Sequence, residues 1–422
     1  MASSKISIAV VGTFDTKLEE FLYLRSRILK HDPSLGVILI DAGRSEVDHE
    51  AITIRQREVQ EASGFRGDLS SLSRSDLVKT MISGAAPIVR QLQDRGEIQA
   101  VIGLGGSSGT TIASAVMRQL PVTFPKLIVS TVASSDTSSY VRETDITMMY
   151  SVVDIAGLNE VLKAVVDNAA AAVVGMAKAS YAKETNLTPV GDDEAKKGVG
   201  ITMFGVTTKG VDAARKWLER NGFEVYVFHA TGAGGRAMER LLTEGRLHGV
   251  LDLTTTELAD ELVGGVFPAD GDRLTAAAKA GLPQIVSVGA LDMVNFGPKD
   301  TVPQKFLERR IYEHNPSVTL MRTSEQECKE LGRHISQRLR DNCIEPGLTE
   351  VWLPLKGISA ISIEGQAYYD KVADEALFTA IREGLEGTAI KVVEVDLDIN
   401  DPSWSEQVAR RLSELFTKKG GK

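Results

Sequence analysis

The chain has 422 residues, 43% hydrophobic and 25% charged, the composition of a folded protein too long for one ordinary core. A net charge of −9 works against nonspecific attraction to nucleic acid or an acidic membrane, since both need a positive field. Cys328 and Cys343 are too few for a disulfide framework and lack metal-type spacing, and no run approaches the roughly 20 apolar residues of a membrane helix, so a cytoplasmic protein is expected.

Met1 to Lys5 lead straight into a strand-like run, Ile6 to Val11, so no signal peptide is expected. Leu18 to Leu29 then carry apolar residues at helical spacing, and Val37 to Ile40 read as the next strand. A long polar and helical stretch from Glu46 to Arg95 follows. Ala100 to Leu104 are a further strand, a small-residue helix starts near Ser107, and Leu127 to Val132 close the set. Strands apolar along their whole length suit a parallel sheet covered on both faces, with the helices as right-handed crossovers.

Residues 181–197 are polar and turn-prone and read as a linker between a first domain, 1–180, and a second, 198–422. The second repeats the first. Val10 to Lys17 match Met203 to Lys209, Val37 to Gly43 match Val225 to Gly232, Val101 to Gly105 match Val250 to Thr254, and Leu127 to Thr131 match Gln284 to Val288. Asp41 to Gly103 is much longer than His229 to Asp252, which predicts inserted helices in the first copy. The segments Val351 to Leu355, Ala373 to Leu385 and Ile390 to Val395 extend the second sheet or pack against the first domain. The predicted fold class is α/β, with two Rossmann-like doubly wound domains and mainly parallel sheets.

The strongest chemical signal runs from Gly103 through Gly105, Gly106, Ser107, Ser108, Gly109, Thr110 and Thr111. It follows a strand and opens a helix. Glycines admit close backbone approach, free N–H groups at a helix start attract an anion, and the hydroxyls add donors. It has neither the lysine of a Walker loop nor the first-strand position of the dinucleotide fingerprint. The plain alternative is a tight turn of small residues for helix–sheet packing.

Three other loops converge on the same edge. Gly12, Thr13, Asp15, Thr16 and Lys17 follow the first strand; Asp15 or Thr16 can cap the helix there. Lys17 is a cation opposing the helix dipole, a conflict that a bound phosphate would resolve. Asp41, followed by Gly43, sits where nucleotide folds place an acid for ribose hydroxyls, or else forms a turn. Ala133, Ser134 and Ser135 follow the fourth strand. Together these loops predict a nucleotide phosphate site.

The second domain offers Arg236 and Arg322 for an anionic metabolite, with Glu257, Asp292 or His314 as acid or base. For each, a cap, a turn or an ordinary loop role is the alternative, and His229 and His314 read more readily as structural.

Gly12 to Lys17, Gly103 to Thr110, Phe228 to Glu239, Leu253 to Leu258 and Gly289 to Gly297 together resemble the family of the plant tobamovirus-resistance protein, which also has stand-alone bacterial and fungal members of unassigned function. The resemblance covers nearly the whole chain. It implies two Rossmann-like subdomains, ATP held by the first, bound Mg2+ and a homodimer, with nucleotide contacts among Gly12 to Lys17, Asp41 to Gly43, Gly105 to Thr111 and Ala133 to Ser135. The chain ends without the plant protein's additional C-terminal domain, so inhibition of a viral replication protein is not expected here. Ser135 replaces a glycine expected in that loop.

The sequence thus predicts a cytosolic ATP-binding protein, possibilities being chemistry on a small metabolite in the second-domain cleft or a non-catalytic module whose conformation or assembly ATP sets. A dinucleotide-dependent oxidoreductase is the weaker alternative, because the glycine loop follows the third strand.

Overall fold

The computed structural model describes residues 6–185 and 196–420. The chain divides into two compact units, residues 1–190 and 191–422. Residues 186–195 of the expected linker lie outside the described residues; its first part, Tyr181 to Thr185, is helical and ends the helix Glu160–Thr185.

In the first unit the strands are Ser7–Gly12 (β1), Gly36–Asp41 (β2), Ile52–Ile54 (β3), Ala100–Gly105 (β4), Lys126–Ser130 (β5) and Thr147–Tyr150 (β6). They form one parallel sheet in the order β3-β2-β1-β4-β5-β6. Both faces are covered, which explains why the strands are apolar throughout. Ile8 and Val10 point into a core with Phe21, Leu24 and Ile28 of the helix Phe14–His31 and with Val166 and Val173 of Glu160–Thr185. Ala9 and Val11 point the other way, into a core with Met81 and Val89 of the helix Arg74–Asp94 and Ile112 and Val116 of Ser107–Met117. Strand order reverses between β1 and β4, leaving a crevice at the carboxyl ends of those strands, where ligands sit in open α/β sheets.

The expected insertion after Asp41 is present as β3, the helix Gln56–Ala62 and the long helix Arg74–Asp94. Two edge strands were not legible. β3 is three residues long, and β6, which follows the run expected to close the set, is half-exposed and weakly apolar.

The second unit has strands Gly198–Met203 (β7), Glu224–His229 (β8), Gly249–Thr254 (β9) and Gln284–Gly289 (β10), then Met293–Phe296 (β11), Ile311–Asn315 (β12) and Val318–Arg322 (β13), and finally Thr349–Pro354 (β14) and Lys391–Val395 (β15). A six-stranded parallel sheet runs β15-β14-β10-β9-β7-β8, and β11, β13 and β12 form a separate antiparallel sheet. The central run β2-β1-β4-β5 of the first sheet and β8-β7-β9-β10 of the second have the same order, in line with the paired segments of the sequence. Beyond β10 the second sheet grows by β14 and β15, so the segments after Glu350 extend it. Both units are thus Rossmann-like doubly wound α/β domains.

Candidate functional site

In the first unit a cleft of about 670 Å³ opens at the β1/β4 crevice. One wall is the start of the helix Ser107–Met117, contributing Gly106, Ser107, Ser108 and Gly109; Thr13, Asp15, Thr16 and Lys17 form another. The helix follows β4 almost directly because Gly105 and Gly109 nearly touch: a Cβ on Gly105 would lie 2.9 Å from the Gly109 Cα. Gly106 is the N-cap and offers no side-chain cap, nor is there an acidic residue in the first turn. The first N–H groups of this helix therefore lack the partner that most helix starts supply from their own sequence.

Cations gather at this uncapped end. Lys17, Arg44 and Arg74 line the cleft against the carboxylates of Asp15 and Asp154. Arg74 donates from Nε to the Ser108 hydroxyl at 2.9 Å. Arg44 is anchored on the carbonyls of Leu69, Ser70 and Leu72 at 2.9 to 3.1 Å. Neither arginine belongs to a motif that marks it in the sequence as a site residue. Arg74 carries a usable signal, since it opens its own helix after the Ser73 cap, where a cation opposes the dipole. Lys17 itself departs from helical geometry, at φ −142° and ψ 30°, and its amine donates to the Ile155 carbonyl. Its conflict with the helix dipole is eased by that bend and that acceptor.

Asp41 is placed differently from the expectation. It is fully buried and does not line the cleft. Its Oδ1 accepts the N–H groups of Phe14 at 3.1 Å and Gly43 at 2.9 Å, so Asp41, rather than Asp15 or Thr16, caps the first helix. Asp15 Oδ2 accepts from the Arg44 and Ser45 amides at 2.9 and 3.2 Å. Gly43 lies between the two acids, where a Cβ would come 2.6 Å from Asp15 Oδ1 and 3.0 Å from Asp41 Oδ1. Two carboxylate oxygens, Asp15 Oδ1 and Asp41 Oδ2, are buried without a hydrogen-bond partner. Burial pushes Asp41 from its ordinary 3.8 up to about 6, against the pull of its two N–H donors, with Asp15 and Glu46 adding repulsion.

A pH prediction follows from that shift. A carboxyl raised in the folded state contributes stability that is complete below its ordinary value and is lost as pH rises through the folded one. Asp41→Asn keeps an oxygen for both N–H donors and removes the charge. Its melting temperature relative to the parent should therefore climb between pH 4 and pH 7.5 in calorimetry; a pH-independent difference would contradict the assignment.

Thr110 is buried, bonded to the Ser130 hydroxyl at 2.7 Å, and Thr111 donates to the Ser107 carbonyl at 2.8 Å, so both serve the helix itself. Ala133, Ser134 and Ser135 form the turn after β5 and do not line the cleft, which Thr131 reaches instead. Ser135 donates back to the Val132 carbonyl at 3.0 Å.

The second unit does not assemble its candidates into one site. Glu257, expected as an acid or base, is fully buried. It accepts from the Gly232 and Gly235 amides at 2.6 and 3.1 Å and pairs with Arg273 at 2.7 Å. Arg273, which the sequence reading passed over, also binds Asp252 through both terminal nitrogens and Glu239 at 3.4 Å. Burial opposes its charge, but the three carboxylates outweigh it and hold the guanidinium protonated well above its usual range. Burial pushes Glu239 up to about 7. The helix after β9 thus begins in a buried ion cluster, whereas the helix after β4 begins at an open cleft.

Asp292 and Arg322 belong to a second buried group. Asp292 accepts from the Ser359 hydroxyl at 2.7 Å, and burial raises its pKa. Arg322 pairs with Asp374 at 2.5 Å and donates to the Tyr368 carbonyl at 3.0 Å. Arg236 reaches the Pro268 carbonyl, while His229 and His314 are exposed, His229 beside Phe204 and His314 beside Tyr312. A cavity of about 700 Å³ reaches Asp374, but its lining sets Lys329, Lys356 and Lys371 against Glu325, Glu364, Asp374, Glu375 and Glu383. That excess of acid does not suit an anion.

Fold and cleft define a two-unit α/β protein whose first unit has a crevice at an uncapped helix start, lined by Lys17, Arg44 and Arg74. The chain belongs to the uncharacterised protein family UPF0261: its N-terminal domain model matches residues 6–182 and its C-terminal domain model residues 196–416. A UPF0261 protein of Clostridium tetani is 44% identical over 97% of this chain and 99% of its own length. The ToMV resistance protein Tm-1(GCR237) of Solanum lycopersicum is 37% identical over 99% of this chain, which spans 56% of that protein. A solved UDP-N-acetylglucosamine 2-epimerase matches at 14% identity over 67% of this chain and 79% of that one, with a TM-score of 0.19, too slight a likeness to argue from. No helix among the described residues is long and apolar enough to cross a membrane.

Proposed function

We propose that this protein binds ATP in the first-unit cleft, with the phosphates against the start of the helix Ser107–Met117. The observation that carries the reading is that uncapped helix start, set at the sheet's reversal point and faced by Lys17, Arg44 and Arg74. Phosphate is the ligand chemistry such a place favours; ATP in particular rests on the family resemblance. In this reading Ser107 and Ser108 add hydroxyl donors, and Arg74, fixed on Ser108, neutralises phosphate charge.

Magnesium fits the same reading in a limited way. Among the described residues no group of three or more His, Cys, Asp or Glu side chains could hold a metal ion. Asp15 lines the cleft and keeps one buried oxygen without a partner. A single hard oxygen donor suits an ion held mainly by phosphate and water. Asp15 Oδ1 would be its protein ligand, and the ion would offset phosphate charge.

The second-unit findings favour a binding or regulatory role over chemistry on a metabolite. Glu257, Asp292 and Arg322, three of the residues put forward for that chemistry, are buried and bonded to the protein itself. A homodimer is part of the same reading.

Calorimetric titration with Mg-ATP tests it. Binding should appear near micromolar strength and weaken about tenfold in Arg74→Ala, the loss of one charge-assisted contact. NADH should not compete. An absence of heat with the intact protein would remove ATP as the ligand, and competition by NADH would favour a dinucleotide.

A further inference from the structure

The sheets expose several edge strands, and most carry a device that prevents pairing with another chain. β3 has only three residues, and β6 has four before Val152 turns the chain at a φ of +66°. β15 carries Lys391 and Glu394, the latter paired with Arg382. β12 holds Glu313 and a register shift between Glu313 and Asn315. β8 differs. It runs six residues, Glu224 to His229, in unbroken register with β7, with no lysine, proline or bulge. Tyr226 and Val227 at its centre are 37% and 41% exposed, among the few large apolar side chains left open to solvent.

The hydrogen bonds define which groups of this edge are available. The Glu224 amide donates to the Lys197 carbonyl and the Ala230 amide to the Met203 carbonyl, so even-numbered residues bond inward, toward β7. The alternation of a strand then turns the backbone groups of Val225 and Val227 outward.

We propose that β8 is a contact between two copies of this chain, pairing antiparallel with its counterpart across a two-fold axis to join the two second-unit sheets. Such an axis stands normal to the sheet and places residues of the same face opposite each other. Centred on Val227, it sets Val227 against Val227 and Tyr226 against Phe228. Centred on Tyr226, it sets Val225 against Val227. Either way the middle of the ladder is apolar or aromatic on both sides, with Glu224 left at the ends. The strand is therefore complementary to itself, which argues for a second copy rather than an unrelated peptide.

This deepens the expected homodimer and rests on it. Sedimentation of the full chain should show a dimer. Val227→Lys, which places two ammonium groups at the axis, should raise the dimer dissociation constant by more than about tenfold. Its thermal unfolding should stay close to that of the parent monomer, because Val227 is 41% exposed and a lysine there can carry its ammonium into solvent. Val227→Cys or Tyr226→Cys should form a cross-linked dimer under mild oxidation that the parent, with Cys328 buried and Cys343 half-buried, does not form. A dimer indifferent to Val227→Lys and not captured by either cysteine would overturn this interface while leaving the dimer. A parent chain that stays monomeric would overturn both.

Discussion

Gly106→Asp should abolish binding of Mg-ATP, or of inorganic phosphate, while leaving the fold as stable as the parent or more so. The two effects have one cause. Gly106 is the N-cap of the helix Ser107–Met117 and has extended backbone angles, φ −78° and ψ −161°, that aspartate adopts readily at a cap. Its added Cβ would meet nothing nearer than the Thr131 hydroxyl at 3.7 Å, so there is room. The new carboxylate would accept the helix's first N–H groups and stabilise the helix by a few tenths of a kcal/mol over glycine. It would occupy with a fixed negative charge the place proposed for phosphate, so the loss of affinity should reach about a hundredfold or more. Calorimetry and thermal unfolding of one variant read both halves. Retained affinity would remove the helix start as the phosphate site, and a large loss of stability would show that Gly106 is there for packing.

Arg273→Met should be the most damaging single substitution in the second unit. Arg273 is 1% exposed and neutralises Asp252, Glu257 and Glu239, which are themselves buried. Methionine replaces the volume but leaves three carboxylates facing one another in a dry interior. Stranding buried charges this way costs about 3–5 kcal/mol. Acid should relieve part of that cost. Burial already pushes Glu239 up to about 7 and Arg273 opposes that shift, so without the arginine its protonation favours folding more strongly, and the deficit should shrink as pH falls from 7 toward 5. Chemical denaturation at both pH values measures it. A deficit under about 1 kcal/mol, or one that grows on acidification, would mean that the cluster is not what holds the glycine loop in place. Because Glu257 anchors the Gly232 and Gly235 amides, Glu257→Gln should also register as a loss of stability, rather than as a loss of turnover in an otherwise intact protein.

Within the fold, the legible part was the part with a strong local signal. Runs such as Ile8 to Val11 and Val101 to Leu104 are apolar on both faces, and only a sheet buried on both sides explains that. The order of glycines and hydroxyls from Gly103 to Thr111 located the helix start, because free N–H groups and small residues are properties of the local chain. β3 and β6 escaped because short, half-exposed edge strands bury too little apolar surface to impose a pattern.

What the sequence alone determined was the α/β class, the repeated strand–turn–helix units and the place of the glycine loop. The partners of each charged side chain were decided only by tertiary structure. Asp41 and Glu257 both hold backbone amides at the start of a neighbouring helix, yet only Glu257 also neutralises an arginine, Arg273, sixteen positions away. Arg44 and Arg74 stand far from Ser107 in the sequence and line one cleft with it because the inserted helix Arg74–Asp94 packs against the helix Ser107–Met117. The reason is physical: apolar burial leaves a periodic signature along the chain, whereas a charge is satisfied by whichever partner the fold brings within a few ångströms.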